Sequence, residues 1–276
     1  MSLYEPPYKD LCIYYLKGRI GRDLLLEKEK DFIGNWEEAD DSFLFFKRPA
    51  DRCMNGLLGR QPHLVLHDRY QMSYEQWQGD TVSPFRVGCL QVTPPWHAEA
   101  HRLDKTGILL DPGVVFGTGS HPTTRDCLTA LQRAFEFRSP ASVLDLGTGT
   151  GLLALAAVRL GARKVLAVDL NHLAAQTARR NAVLNRMTDR LCVVQGNAIN
   201  FMDISSDLMI SNVHYEVMRH LIAAPGFARQ KQFILSGLLR TQAREIEYQL
   251  HKQTVEIVHK WEQDGTWHTY YGHNNA

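Results

Sequence analysis

Two carboxylates bracket a run of glycines between Val143 and Asp169, and their spacing is the first chemistry the sequence offers. Residues Val143–Ala157 read VLDLGTGTGLLALAA. An apolar, β-prone run ends just past Asp145, the loop Gly147-Thr148-Gly149-Thr150-Gly151 follows, and an apolar helical stretch begins at Leu152. Glycine belongs where a backbone turns sharply from strand to helix, or where a ligand touches the main chain. Ligands of open α/β sheets bind beyond the carboxyl ends of the strands, where such a loop lies. A dinucleotide fingerprint, G-x-G-x-x-G, needs its third glycine at the position held by Leu152. The pattern here is G-x-G-x-G with an acid two residues ahead. A carboxylate is unfavourable beside a pyrophosphate and favourable beside a cation. S-Adenosylmethionine carries an α-ammonium and a sulfonium and no phosphate, so the spacing points towards it and away from NAD. Asp145, Gly147, Thr148 and Gly149 are the residues expected against it. The plain alternative is a glycine-rich turn that holds nothing.

Asp169 closes the next apolar run, KVLAVD. A carboxylate there accepts both ribose hydroxyl protons, which suits any nucleoside, and it also suits a helix N-cap ahead of Leu173. A third run ends in Gln195-Gly196-Asn197-Ala198, where the Asn197 side chain is the one expected at an adenine edge. Twelve histidines raise the question of a metal. His63 and His67, and His97 and His101, stand four apart, a spacing that shares one helix face. The first pair flanks a β-prone run and the second follows Pro94-Pro95, with no carboxylate or cysteine completing either. No metal site is expected.

The elements that must position these residues follow from periodicity. Strands are expected at Ser142–Leu146, Lys164–Val168, Leu191–Gln195, Asp207–Ser211, Gln232–Ser236 and Val255–Lys260. Helices are expected between them, at Leu152–Leu160, Leu173–Asn185, Glu216–Ala223 and Thr241–His251. The strands are near-continuous apolar runs, as when helices cover both faces of a parallel sheet. Asp264-Gly265 is a hairpin signal before the β-rich Thr266–Tyr271, so the last strand should run in reverse. Before about Pro94 the pattern is irregular, with short β-prone runs at Leu11–Leu16, Phe43–Phe46 and Leu64–Leu66. The charge runs Lys28–Asp31 and Glu37–Asp41 read as solvated faces or loops.

Bulk composition narrows the class. Lys and Arg total 31 against 30 Asp and Glu, a net charge of +1, so no global field draws nucleic acid or anionic lipid. Five cysteines without a C-x-x-C spacing suggest neither a disulfide framework nor a thiolate metal site. The start, MSLYEPPYKD, lacks a signal-peptide pattern, and no apolar run approaches the length of a membrane span. A cytoplasmic enzyme without direct nucleic-acid binding is expected.

Upstream of the glycine loop, Leu109–Leu131 reads LLDPGVVFGTGSHPTTRDCLTAL. This resembles the signature of the PrmA family, the methyltransferases of large-subunit ribosomal protein eleven. The likeness extends to Phe85-Arg86-Val87-Gly88, Pro94-Pro95-Trp96, the glycine loop, Asp169, Ser211-Asn212 and Ile234–Leu239, covering about residues 70 to 272. The resemblance implies a Rossmann-like, mostly parallel seven-stranded α/β sheet with a reversed last strand, plus a smaller N-terminal α+β region. It implies a substrate-recognition region over 1–75, a linker over 76–102 and a methyltransferase domain over 103–276. It also implies Phe116, Thr118 and Thr124 over the methionine end of the cofactor, Gly147 and Gly149 against its backbone, and Asp169 on the ribose. By the same resemblance Asn212 is expected beside the transferred methyl, and the acceptor is expected to be an amine of a protein, a ribosomal one by the family's activity.

The chain departs from the family at Val213-His214-Tyr215, where Ile-Leu-Ala is usual, and over its first 70 residues. Both departures fall where a protein substrate is gripped. Asn212 and His214 are the expected catalytic pair, the amide oxygen orienting an amine and the imidazole taking its proton. The alternative for His214 is a solvent-facing helix start. A small-molecule methyltransferase of this fold, and a relative that binds cofactor or partner without turnover, remain the other functional readings.

Overall fold

The computed structural model describes residues 6–275, which fall into two compact units. The first takes the residues up to Val82 with Asn171–Leu173; the second takes Ser83–Leu170 and Ala174 onward. The first unit runs β1 (Asp10–Lys17), α1 (Leu24–Glu27), β2 (Phe32–Glu38), β3 (Asp41–Phe46), α2 (Asp51–Arg60) and β4 (Val65–Ser73), then a short helix α3 (Tyr74–Gln78). Its sheet is antiparallel in the order β2-β3-β1-β4. Alternate residues Cys12, Tyr14, Leu16, Leu44 and Phe46 bury against Leu26, Met54 and Leu57 of the two helices, the period of two that puts one strand face inward. Asp23 caps α1 by accepting from the Leu25 and Leu26 amides, and it also holds Arg60 at 2.8 Å. The charge run Glu37–Asp41 spans the turn joining β2 to β3.

The second unit opens with β5 (Phe85–Val87), β6 (Leu90–Thr93) and β7 (Gly107–Leu109), a small sheet of its own. Two of these strands, β5 and β6, lie within the stretch read as a linker. Then α4 (Pro122–Arg138) leads to the main alternation: β8 (Ser142–Leu146), α5 (Leu152–Leu160), β9 (Lys164–Asp169), α6 (His172–Leu184) and β10 (Leu191–Gln195). It continues through β11 (Leu208–Asn212), α7 (Tyr215–Ala223), β12 (Gln232–Leu239), α8 (Arg240–His251), β13 (Val255–Gln263) and β14 (Trp267–Asn274). The seven-stranded order is β10-β9-β8-β11-β12-β14-β13. Every pair from β10 to β12 is parallel, whereas β14 is antiparallel to both its neighbours. The reversed strand thus sits inside the sheet, between β12 and β13, and not on its edge.

Why these strands read as unbroken apolar runs is visible in their two faces. Val143, Val165, Ile210 and Ile234 pack with α4 and α5 residues such as Leu128, Leu131 and Leu155. Leu144, Met209, Phe233 and Leu235 pack on the other side with Met218, Leu221, Ile246 and Leu250 of α7 and α8. The chain moves outward from β8 through β9 to β10 and then returns to β11 on the far side of β8. That reversal opens a crevice at the carboxyl ends of β8 and β11, the usual ligand position in such sheets. No described helix is long and apolar enough to cross a membrane.

Candidate active site

The glycine loop after β8 is built from left-handed backbone: φ is 79° at Gly147, 56° at Gly149 and 84° at Gly151. The Gly147 and Thr148 amides donate to the Val168 carbonyl at 2.8 and 3.0 Å, which pins the loop to the end of β9. The Gly149 amide donates to Asp169 Oδ2 at 2.9 Å. A Cβ on Gly149 would stand 2.8 Å from the Phe116 carbonyl oxygen, and one on Gly147 would stand 2.2 Å from Val213 Cγ1. Three segments therefore meet with no room for a side chain on the glycines: the glycine loop, the stretch around Phe116, and the end of β11. Thr150 Oγ1 adds a hydrogen bond to the Gly117 carbonyl at 2.7 Å.

Asp145 lies beneath this junction, 1% exposed, and accepts from Thr148 Oγ1 at 2.6 Å. Burial pushes its carboxyl up to about 7, and the nearby charge of Asp169 adds to the rise. Between an unfolded value of 3.8 and that folded value the native state keeps a proton the unfolded chain has lost. Stability from this group therefore falls as pH rises across that window. A carbon-13 titration of the Asp145 carboxyl is expected to show a midpoint near 7; a midpoint near 4 would mean that the group is solvated.

Asp169, half-buried at the end of β9, carries the Gly149 contact, and its own carbonyl takes the Gly196 amide at 2.8 Å. Asn197 stands at the same end of the sheet but is exposed. Its Oδ1 accepts from the Ile199 amide at 3.1 Å and caps a short 3₁₀ turn. Phe116 is 68% exposed over the crevice. Thr118 Oγ1 lies 2.8 Å from Ser120 Oγ. Thr123 and Thr124 are buried in the first turn of α4. His121 is the N-cap of that helix and Pro122 its first residue, a position where a missing amide costs nothing.

Asn212 ends β11 half-buried, its Nδ2 donating to Thr123 Oγ1 at 3.4 Å. The structure thus brings Asp145, Gly147, Thr148, Gly149, Asp169, Phe116, Thr118, Thr124 and Asn212 to one end of the sheet. His214 is exposed at the start of α7 and caps nothing with its ring, and Tyr215 packs into the core beneath α7. Three of these four histidines are engaged elsewhere. His63 bonds the Arg19 carbonyl, His67 lies edge-on to Tyr15, and His97 caps a 3₁₀ turn. Among the described residues no three His, Cys, Asp or Glu side chains gather as a metal site.

Sequence reasoning missed the braces of this site. Asn181 holds both the amide and the carbonyl of Asp111 at 3.0 and 2.9 Å and also bonds the Thr150 carbonyl at 2.9 Å. Asn185 does the same for Leu109, at 2.9 and 2.7 Å. These two side chains work as a short artificial strand that fixes the segment leading to Phe116. An asparagine pair four apart was their one signal. The partners lie 70 and 76 positions away in sequence.

The cradle fits a nucleoside with a cationic tail. Glycines admit close main-chain approach, and Asp169 offers a carboxylate beside them.

Comparisons with known proteins point to one family. The family model for ribosomal protein L11 methyltransferase (PrmA) matches residues 52–275. A Clostridium perfringens protein named ribosomal protein L11 methyltransferase is 31% identical over 266 residues, 94% of this chain and 81% of that protein. One of the same name from Desulforamulus reducens is 33% identical over 211 residues, 74% of this chain and 67% of its relative. The crystal structure of a ribosomal protein L11 methylase from Lactobacillus delbrueckii subsp. bulgaricus matches with a TM-score of 0.62 at 30% identity, covering 70% of this chain and 100% of that one.

Proposed function

The chain belongs to the ribosomal protein L11 methyltransferase (PrmA) family of S-adenosylmethionine-dependent methyltransferases, and from that premise we propose that it N-methylates amines of ribosomal protein L11 in the cytoplasm. The observation that carries this reading is the closed junction of Gly149, the Phe116 carbonyl and Asp169, with Gly147 against Val213, the residue after Asn212.

In this reading the main chain of Gly147, Thr148 and Gly149 lies against the cofactor, Asp169 holds its ribose and the Asn197 turn borders its adenine. Phe116, Thr118 and Thr124 cover the methionine end, and Asp145 braces the loop from below through the Thr148 hydroxyl. When bound, the cofactor supplies an electrophilic methyl whose bond to sulfur breaks as the bond to nitrogen forms, leaving a neutral thioether. Asn212 also touches this end of the cofactor, and it does the orienting: its amide oxygen accepts one N–H of the acceptor amine and turns the lone pair towards the methyl. The amine must be neutral, and desolvation in the crevice favours that form. His214, exposed at the mouth, passes the released proton to solvent. The unit ending at Val82 is the grip on the protein substrate.

The test is incubation with methyl-labelled S-adenosylmethionine and purified ribosomal protein L11, alongside a cell extract. Label on L11 amines is expected. Label confined to small molecules would favour the second activity that the Val213-His214-Tyr215 departure permits, and no label in any species would contradict turnover.

A further inference from the structure

The hydrogen bonds between the start of α4 and the end of β11 have directions that chemistry determines. His121 Nδ1 lies 3.4 Å from the Thr123 amide nitrogen and 2.8 Å from the Thr123 hydroxyl. An amide N–H only donates, so Nδ1 carries the lone pair and the ring proton sits on Nε2. The helix N-terminus reinforces this, because its partial positive charge disfavours an imidazolium. With Nδ1 an acceptor, the Thr123 hydroxyl donates to it. Thr123 has one hydroxyl proton, so towards Asn212 it only accepts, and the group facing it at 3.4 Å is the amide nitrogen. The Asn212 oxygen then points elsewhere, to the space beside Gly237, where a Cβ would lie 3.0 Å from it. The imidazole is itself held: Trp267 of β14 meets it edge to face, with centroids 4.7 Å apart and planes at 80°.

We infer that His121 and Thr123 are positioning residues that assign the Asn212 amide nitrogen to the protein and leave its oxygen for the acceptor amine, with Trp267 holding the ring. The proposal rests on the reading of Asn212 given above. It matters because an amide has two nearly isoenergetic orientations about its terminal torsion. In the wrong one the NH₂ group would donate to the acceptor nitrogen and occupy the lone pair that must attack. The reversed strand thereby gains a role beyond completing the sheet, since its first residue steadies the ring that begins the chain of bonds.

Four variants separate the possibilities, each assayed for kcat, for KM of L11 and for cofactor affinity by calorimetry. Thr123→Val removes the hydroxyl at constant shape, and His121→Phe keeps a ring against Trp267 without the acceptor. His121→Asn restores a side-chain oxygen at the N-cap, and Asn212→Ala removes the oriented group. Thr123→Val and His121→Phe are expected to lower kcat about tenfold while leaving cofactor affinity and KM within about twofold, and His121→Asn to recover at least half of kcat. Wild-type kcat in Thr123→Val and His121→Phe, with Asn212→Ala impaired, would overturn the relay and leave the Asn212 reading standing. Wild-type kcat in Asn212→Ala would overturn both. A His121→Asn variant as slow as His121→Phe would show that the acceptor atom is not what the ring contributes.

Discussion

Replacing Asn212 by alanine is expected to lower kcat for methyl transfer about a hundredfold, with cofactor affinity changed less than about fivefold. The reason is positional. Little is asked of the protein in an in-line displacement with a neutral leaving group beyond holding the nucleophile in line and exposing its lone pair. The Asn212 side chain stands where β11 ends at the crevice, tied to Thr123 on one side and close to Gly237 on the other. Alanine removes the one oxygen in this account that orients the amine, and the substrate keeps its other contacts. Steady-state kinetics with L11 as acceptor provides the check. A loss confined to KM would assign Asn212 to uniform substrate binding.

The second large effect is expected at Gly149. With φ at 56° and a Cβ position 2.8 Å from a backbone carbonyl, it has neither the conformational freedom nor the space for valine. The substitution must push the Phe116 segment away or withdraw the Gly149 amide from Asp169. That bond reaches an ionised acceptor and is worth roughly 1.5–3 kcal/mol. Either movement displaces the residues that line the cofactor, so affinity for S-adenosylmethionine should fall on the order of a hundredfold or more. Gly59→Ala is the control, since nothing lies within 4 Å of a Cβ there and α2 is an ordinary helix. Calorimetric titration of both variants decides the matter, and unchanged affinity in Gly149→Val would remove the loop from the cofactor site.

Much of the second unit was legible because its signals are local. Apolar strands ending near Asp145, Asp169 and Asn212 alternate with amphipathic helices, and Asp264-Gly265 announces the terminal hairpin. Strand order is not a local property, and so the insertion of β14 between β12 and β13 could not be read from the hairpin itself. The β12 strand also runs on to Leu239, three residues past the expected end. Gly237, at φ 86°, lets it bulge and keep pairing. The first unit was harder to read. Residues Val65–Gln71 of β4 are exposed on both faces at the edge of its sheet, so no period of two marks the strand. Helix α1 has only four residues.

The candidate site divides along the same line. Gly147, Gly149 and Asp169 stand close in sequence, and their spacing carried the chemistry. The relay from His121 to Asn212 did not, because Thr123 and Asn212 meet across 89 positions. Histidine before Pro122 looks like an ordinary cap until the fold brings Trp267 to its ring and Asn212 to Thr123. The Asn181 and Asn185 braces were hidden for the same reason.

The central claim is that the crevice at the ends of β8, β9 and β11 binds a phosphate-free, cationic nucleoside cofactor for methyl transfer. Calorimetric titration of the full chain with S-adenosylmethionine, and separately with NAD, tests it most directly. One saturable site for S-adenosylmethionine and no heat with NAD is the expected result. Saturable binding of NAD with none of S-adenosylmethionine would contradict the account.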